Sequence, residues 1–284
     1  MRTPTDSHGQ HCSDDNISSN LSIVTRYDWV TRRRFKEVNE EEKAKLVGNV
    51  FTKVAPSYDL MNDMMSGGLH RLWKDRLVSK LHPFPGMNHL DVAGGTGDIA
   101  FRILDNINSV SHRALKNGQA EGEDDTKIYV LDINPNMLAV GRMLDSRCLQ
   151  WVEGDAEALT FEESSMDGYT IAFGIRNVTH IERALDEAYR VLKRGGRFLC
   201  MELSHVDTPL LNKCNLRLLL VFSHPSNGEV VAGDRDSYQY LVESIRQFPK
   251  QEKFARMIAE AGFQKVEYEN LVGGVVAIHT GLKL

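Results

Sequence analysis

Residues Leu90-Asp91-Val92-Ala93-Gly94-Gly95-Thr96-Gly97-Asp98 hold the densest chemistry in the chain. An apolar strand stub runs into a glycine turn, and Ile99-Ala100-Phe101-Arg102-Ile103-Leu104 behind it reads as the start of a helix. Glycines let the backbone come close to a ligand, and the helix N-terminus aims N–H groups and partial positive charge at the same place. A dinucleotide fingerprint needs glycines at i, i+2 and i+5. Counted from Gly94, those positions hold Gly94, Thr96 and Ile99, so that fingerprint fails. The pattern present, Asp-x-x-Gly-Gly-x-Gly over Asp91–Gly97, suits a nucleoside without a pyrophosphate, and S-adenosylmethionine is the candidate. Taken alone, the motif is also compatible with an ordinary glycine-rich strand-to-helix turn.

Three more predicted strand ends carry suitable side chains. Asp132 ends Ile128-Tyr129-Val130-Leu131, where a carboxylate can accept both ribose hydroxyls; the competing role is an N-cap for the helix beginning near Pro135. Asp155, in Glu153-Gly154-Asp155-Ala156, is placed for an adenine amino group, with Ala156 lending a backbone N–H; by itself it would be a turn aspartate. Asp91 can orient the glycine loop or reach an ammonium group. The fourth end is Phe173-Gly174-Ile175-Arg176-Asn177-Val178. Ligands of open α/β sheets collect at such strand ends, so Asp91, Gly94, Gly95, Thr96, Gly97, Asp132, Asp155 and Ala156 form the expected cofactor set.

These ends imply the elements that hold them. β-rich runs at 89–93, 128–131, 149–152, 169–173 and 197–203 alternate with helical patterns at 99–106, 136–146 and 181–192, which predicts a parallel sheet with crossover helices. After a helix over 251–261 and a Gly262 cap, strands at 265–270 and 275–283 joined by Leu271-Val272-Gly273-Gly274 predict a C-terminal antiparallel hairpin. The expected architecture is α/β: a Rossmann-like, mostly parallel seven-stranded sheet with that hairpin, as in class I S-adenosylmethionine-dependent methyltransferases. Residues 106–127 read as an inserted polar loop. Leu69, Leu72, Trp73, Leu77 and Leu81 predict one face of a helix closed by Pro83 and Pro85. Residues 39–85 form an N-terminal helical lid, 86–284 the core, and 1–38 a polar tail, disordered or targeting, in which only Arg26 and Arg32-Arg33-Arg34 resemble a presequence.

The chain has 284 residues, 42% of them hydrophobic, enough for a sizeable core. A net charge of −5 gives no basic surplus, so no nucleic-acid partner is expected. Cys12, Cys148, Cys200 and Cys214 are scattered, which supports neither a zinc site nor a disulfide framework and fits a reducing compartment or the mitochondrial matrix. His70, His82 and His180 have no metal-like grouping, and no metal is expected.

Tyr58-Asp59-Leu60-Met61-Asn62-Asp63, Trp73-Lys74, Asp91–Asp98, Ala172–Val178, Leu192-Lys193-Arg194-Gly195-Gly196 and Tyr238-Gln239-Tyr240-Leu241 together resemble the ubiquinone/menaquinone biosynthesis C-methyltransferase family, over roughly residues 36–284. Asn62-Asp63-Met64-Met65-Ser66 and Val178-Thr179-His180-Ile181 are similar to its mitochondrial branch. The resemblance implies S-adenosylmethionine-dependent C-methylation of a 2-methoxy-6-polyprenyl-1,4-benzoquinol. It also implies peripheral attachment to the matrix side of the mitochondrial inner membrane, among the other proteins of a multi-subunit quinone-biosynthesis complex.

Such chemistry needs an in-line ring carbon made electron-rich by loss of a hydroxyl proton. A guanidinium is a poor proton acceptor. Arg176 is therefore expected to stabilise the phenolate, with a water carrying the proton and Asn177 orienting it; its competing role is a structural ion pair to Asp98 or Glu202. Tyr58, Asp59 and Asn62 are expected in the lid, or in helix packing, and Met61, Met64 and Met65 in an apolar wall suited to a prenyl tail. Residues 212–228 depart from the family between good matches, which implies a local reading-frame error or a diverged lid. Two alternatives stand beside the enzyme: a non-catalytic scaffold of the quinone complex, and an O-methyltransferase acting on another small molecule.

Overall fold

The structure is a computed structural model, and it describes residues 63, 66–116, 125–144, 149–206 and 235–284. The chain divides into two units, Met1–Val38 and Asn39–Leu284, and every described residue lies in the second. In chain order the elements are α1 (Leu69–Leu81), β1 (Asn88–Val92), α2 (Asp98–Lys116), β2 (Lys127–Asp132), α3 (Pro135–Leu144), β3 (Leu149–Glu153), β4 (Met166–Ala172), α4 (Ile181–Val191), β5 (Leu192–Leu203), α5 (Arg235–Gln247), α6 (Gln251–Glu260), β6 (Gln264–Leu271) and β7 (Val276–Leu282).

The seven strands lie in the order β3-β2-β1-β4-β5-β7-β6. The first five are mutually parallel; β7 runs antiparallel to both β5 and β6. Strand order reverses between β1 and β4, so the carboxyl ends of these two strands border the switch-point crevice. Helices cover both faces. Ala184, Leu185, Ala188 and Val191 of α4 and Phe254 and Ile258 of α6 pack on Leu90, Val92, Tyr169, Ile171 and Phe198. Leu77, Val78 and Leu81 of α1, Ile99, Ile103 and Ile107 of α2 and Leu138 of α3 pack on Ile128, Val130, Leu199 and Ile278. Parallel strands covered on both faces are apolar on both faces, and polar side chains inside such a sheet mark exceptions. Here they are His89, Asp91, Thr170, Glu202 and His279, all essentially inaccessible.

Two expectations need correction. The first crossover helix does not end at 106: α2 continues to Lys116, so the first half of the expected 106–127 loop is helix, and Lys127 already belongs to β2. Ile99, Ile103 and Ile107 recur every fourth residue and keep the stripe buried. The buried face of α1 is His70, Lys74, Leu77, Val78 and Leu81, whereas Leu69 and Leu72 are exposed. The two polar residues of that face have acidic partners: His70 Nε2 lies 2.7 Å from Asp63 Oδ1, and Lys74 Nζ reaches Asp98 Oδ2 at the start of α2 at 2.5 Å.

Candidate active site

The loop after β1 is tied down from every side. Gly94 N–H donates to Leu131 C=O (3.1 Å), Gly97 N–H to Gly94 C=O (2.8 Å) and Phe101 N–H to Gly97 C=O (2.9 Å). A Cβ on Gly94 would stand 2.7 Å from Val130 Cγ1 and 2.8 Å from Asp91 Oδ2, closer than carbon can approach. Gly97 adopts φ +85° with Trp151 packed against it. The residues that follow β1 and β4, Ala93 (φ 51°) and Phe173 (φ 58°), are also left-handed although neither is a glycine. They turn both chains away from the sheet at the switch point, and Gly174 is required there because a Cβ would fall 2.4 Å from Ala93 Cβ. Backbone strain of this kind concentrates at functional sites.

Asp132 Oδ2 accepts from Gly95 N–H (2.9 Å) and Oδ1 from Asn134 N–H (2.8 Å). The capping role at α3 falls instead to Asn134, whose Oδ1 accepts from Asn136 N–H (3.0 Å). Each carboxylate oxygen of Asp132 retains acceptor capacity toward a ligand hydroxyl. Burial holds the Asp132 carboxyl above the usual range, opposed by those N–H groups. Asp155 is exposed, and its Oδ1 accepts from Glu157 N–H (2.9 Å), the geometry of a turn aspartate; Ala156 is buried beside it. Glu157 then reaches the next loop: its Oε1 accepts from Thr179 N–H and His180 N–H, and its Oε2 lies 2.8 Å from His180 Nδ1. The loop after β3 and the loop after Arg176 are thus fastened together.

Arg176 sits just past β4, with its side chain 8% exposed. Its Nη1 donates to Glu202 Oε1 (2.6 Å) and to Phe173 C=O (2.7 Å). Of the two ion-pair partners anticipated, Glu202 is therefore the one used; Asp98 is taken by Lys74 and Arg102. Buried Arg176 Nε finds no partner among the described residues. Burial pushes the Glu202 carboxyl up, and Arg176 pulls it back only in part. Asn177 Oδ1 accepts from Tyr240 Oη–H of α5 (2.9 Å). Tyr58, Asp59 and Asn62 and residues 212–228 lie outside the described residues.

Sequence reasoning gave no role to Tyr240, Thr170, His89 or Lys74. Tyr240 stood inside a recognised motif but 63 residues from its partner. Thr170 and His89 were signalled as polar residues inside otherwise apolar strand runs. Among the described residues no group of three or more His, Cys, Asp or Glu side chains is placed to hold a metal ion, and no helix is long and apolar enough to cross a membrane. A groove of about 800 Å³ bounded by Glu163, Asp186, Tyr189 and Lys283 opens at the opposite, amino end of the sheet. Its Lys283 ammonium is spent on the Tyr189 and Arg190 carbonyls, so it offers no comparable chemistry.

The acceptor set at the carboxyl edge fits a cationic nucleoside: Asp91 and Asp132, neither paired with a basic side chain among the described residues, flank the glycine loop, and Asp91 keeps an orphaned oxygen, Oδ2, while Asp98 is held by Lys74 and Arg102. Solved structures agree with the fold. An S-adenosylmethionine-dependent methyltransferase of Thermotoga maritima superposes with a TM-score of 0.55 at 18% identity, over 83% of this chain and 99% of that one. One from Aquifex aeolicus gives 0.50 at 13%, over 74% and 89%. Sequence relatives are much nearer. The "2-methoxy-6-polyprenyl-1,4-benzoquinol methylase, mitochondrial" of Oryza sativa subsp. japonica is 70% identical over 94% of each chain. The human protein of the same name is 52% identical over 95% of this chain and 89% of its own. The "Ubiquinone/menaquinone biosynthesis C-methyltransferase UbiE" of Brucella abortus is 51% identical over 88% and 90%. With a family model matching residues 36–283, the chain belongs to the ubiE/COQ5 methyltransferase family.

Proposed function

We propose that this protein is a mitochondrial S-adenosylmethionine-dependent C-methyltransferase of ubiquinone synthesis that methylates a ring carbon of a 2-methoxy-6-polyprenyl-1,4-benzoquinol. It works at the matrix side of the inner membrane as a peripheral protein, among other subunits of a quinone-biosynthesis complex. Family membership and the names of relatives at 51–70% identity support the reaction class. The single observation that carries the site assignment is the buried Arg176 fork, pinned by Glu202 and the Phe173 carbonyl, with Nε left for a further acceptor.

Bound S-adenosylmethionine supplies an electrophilic methyl group. Within the loop Gly94-Gly95-Thr96-Gly97 the glycine N–H groups are held by Leu131, Asp132 and the loop itself, so the Thr96 N–H and the first N–H groups of α2 are the ones that would face it. Asp132 offers its remaining lone pairs to the ribose hydroxyls, and Asp155 with the Ala156 N–H flanks the base. Arg176 Nε donates to the quinol oxygen and stabilises the phenolate whose negative charge enriches the ring carbon. Asn177, with its carbonyl oxygen held by Tyr240, orients that oxygen through its amide N–H₂. The proton leaves through water, since a guanidinium cannot accept it. Tyr58, Asp59 and Asn62 are assigned, from the family motif they belong to, the role of excluding bulk water.

Incubation with methyl-labelled S-adenosylmethionine and a demethylated short-tail quinol tests this directly. Label is expected on the ring carbon of the product. Label on a ring oxygen, or no label from protein that binds the donor, overturns the assignment.

A further inference from the structure

Asp91 is buried where most carboxylates would be costly. It lies in register with Thr170 of β4, whose hydroxyl donates to Asp91 Oδ1 (2.7 Å). His89 Nε2 lies 2.9 Å from that same hydroxyl oxygen and completes a chain His89–Thr170–Asp91 across the two strands that border the switch point. The His89 ring is fully buried and held neutral, its pKa lowered to about 3 by burial, so it lends Asp91 no charge. Asp91 Oδ2 has no partner among the described residues and faces the underside of the glycine loop at Gly94. The charged groups around it are Asp98 of α2 and Asp132 of β2, of like sign, and Lys74 of α1. Lys74 is spent on Asp98. Tyr169 of β4 is neutral, its phenol pushed far up by burial. Burial raises the Asp91 carboxyl to about 7, with the Thr170 bond opposing it.

We propose that Asp91 reads the charge of the ligand on the glycine loop: it is ionised beneath the cationic S-adenosylmethionine and protonated beneath the neutral S-adenosylhomocysteine, so that the site holds fresh cofactor and releases spent product. This rests on the cofactor reading above. The proton leaves Asp91 Oδ2 for solvent when the cofactor binds, and one returns when product takes its place; no bond in the ligand is altered. For a separation taken as about 8 Å, a unit positive charge at an effective dielectric of about 20 moves a proton equilibrium by about 1.5 pH units. Cofactor affinity is then about fifteenfold higher at pH 8 than at pH 5.5, while product affinity stays nearly flat.

Titration calorimetry of the full chain with each ligand, in two buffers of different ionisation enthalpy at pH 7, reads the effect. At pH 7, S-adenosylmethionine is expected to release about 0.4 proton more from the wild type than from Asp91→Asn. That difference cancels the ligand's own amino group. Thr170→Val removes the bond that favours the ionised form, and moves the midpoint of cofactor binding to higher pH; it serves if Asp91→Asn does not fold. Identical pH profiles for the two ligands in the wild type overturn this inference alone, as does a midpoint unmoved by Thr170→Val. Binding of neither ligand overturns the cofactor reading as well.

Discussion

Arg176→Ala deletes a guanidinium that donates to Glu202 Oε1 and to the Phe173 carbonyl. It leaves behind a carboxyl that is 1% exposed and already held above the usual range, because burial outweighs the Arg176 charge. Without Arg176 that carboxyl climbs further. A carboxyl whose pKa is higher folded than unfolded contributes stability at low pH and loses it as pH rises through the folded value. The variant is therefore penalised most in alkaline solution, where a bare carboxylate must stay buried. Removing one partner of a buried ion pair costs about 3–5 kcal/mol. At about 2–4 °C per kcal/mol for a domain of this size, Tm falls by about 6–20 °C at pH 8. At pH 5 only a hydrogen bond and some packing are missed, about 1–2 kcal/mol. The double variant Arg176→Ala/Glu202→Gln, with no buried charge, recovers most of the alkaline loss. Scanning calorimetry at both pH values, with methyl transfer measured in parallel, is the assay. Turnover is expected to collapse while cofactor affinity holds within about threefold, since the role proposed for Arg176 is toward the acceptor. Equal Tm losses at pH 5 and pH 8, or a double variant no better than the single, would refute the electrostatic reasoning; undiminished turnover would refute the role.

Gly94→Ala forces a methyl to within 2.7 Å of Val130 Cγ1 and 2.8 Å of Asp91 Oδ2, both fixed in the core. Overpacking of about 1–3 kcal/mol and a loss of cofactor affinity of tenfold or more are expected by chemical denaturation and calorimetry; unchanged affinity would mean that the loop does not contact the ligand. Tyr240→Phe removes the hydroxyl that holds Asn177 (2.9 Å). A fall in kcat of about tenfold with the KM for cofactor unchanged is expected, whereas a KM effect alone would place Tyr240 elsewhere in the cycle. Gly262→Ala, at φ +105° with the Tyr189 ring 3.0 Å from the added carbon, is expected to lower stability by about 1–2 kcal/mol without touching activity. Full stability retained would count against the αL end of α6.

What was legible in the sequence was local. The alternation of β-rich runs and amphipathic stretches gave five parallel strands in place, and the Gly262 stop and the glycine turn at 271–274 gave the antiparallel pair. The Gly94–Gly97 turn was readable because glycine conformation depends on near neighbours, whereas the bond from the Gly95 N–H to Asp132, 37 residues away, carried no local signal. The isoleucine stripe of α2 ends at Ile107, and the polar residues after it, with Val110 exposed among them, hid the last turns of the helix. On α1, apolar character misjudged the face: Lys74 goes inward because Asp98 waits there, 24 residues away. The Asn177–Tyr240 bond joins residues whose separation carries no local signal. The positive φ of Ala93 and Phe173 was equally hidden, since neither residue type announces it.

The most direct test of the carboxyl-edge site is a calorimetric titration of S-adenosylmethionine into the wild type and into Asp132→Ala. The wild type is expected to bind one equivalent saturably. The variant, which leaves the Gly95 and Asn134 N–H groups without their acceptor, is expected to bind at least about tenfold more weakly. Equal affinity in the two folded proteins, or no heat from the wild type, would contradict the account.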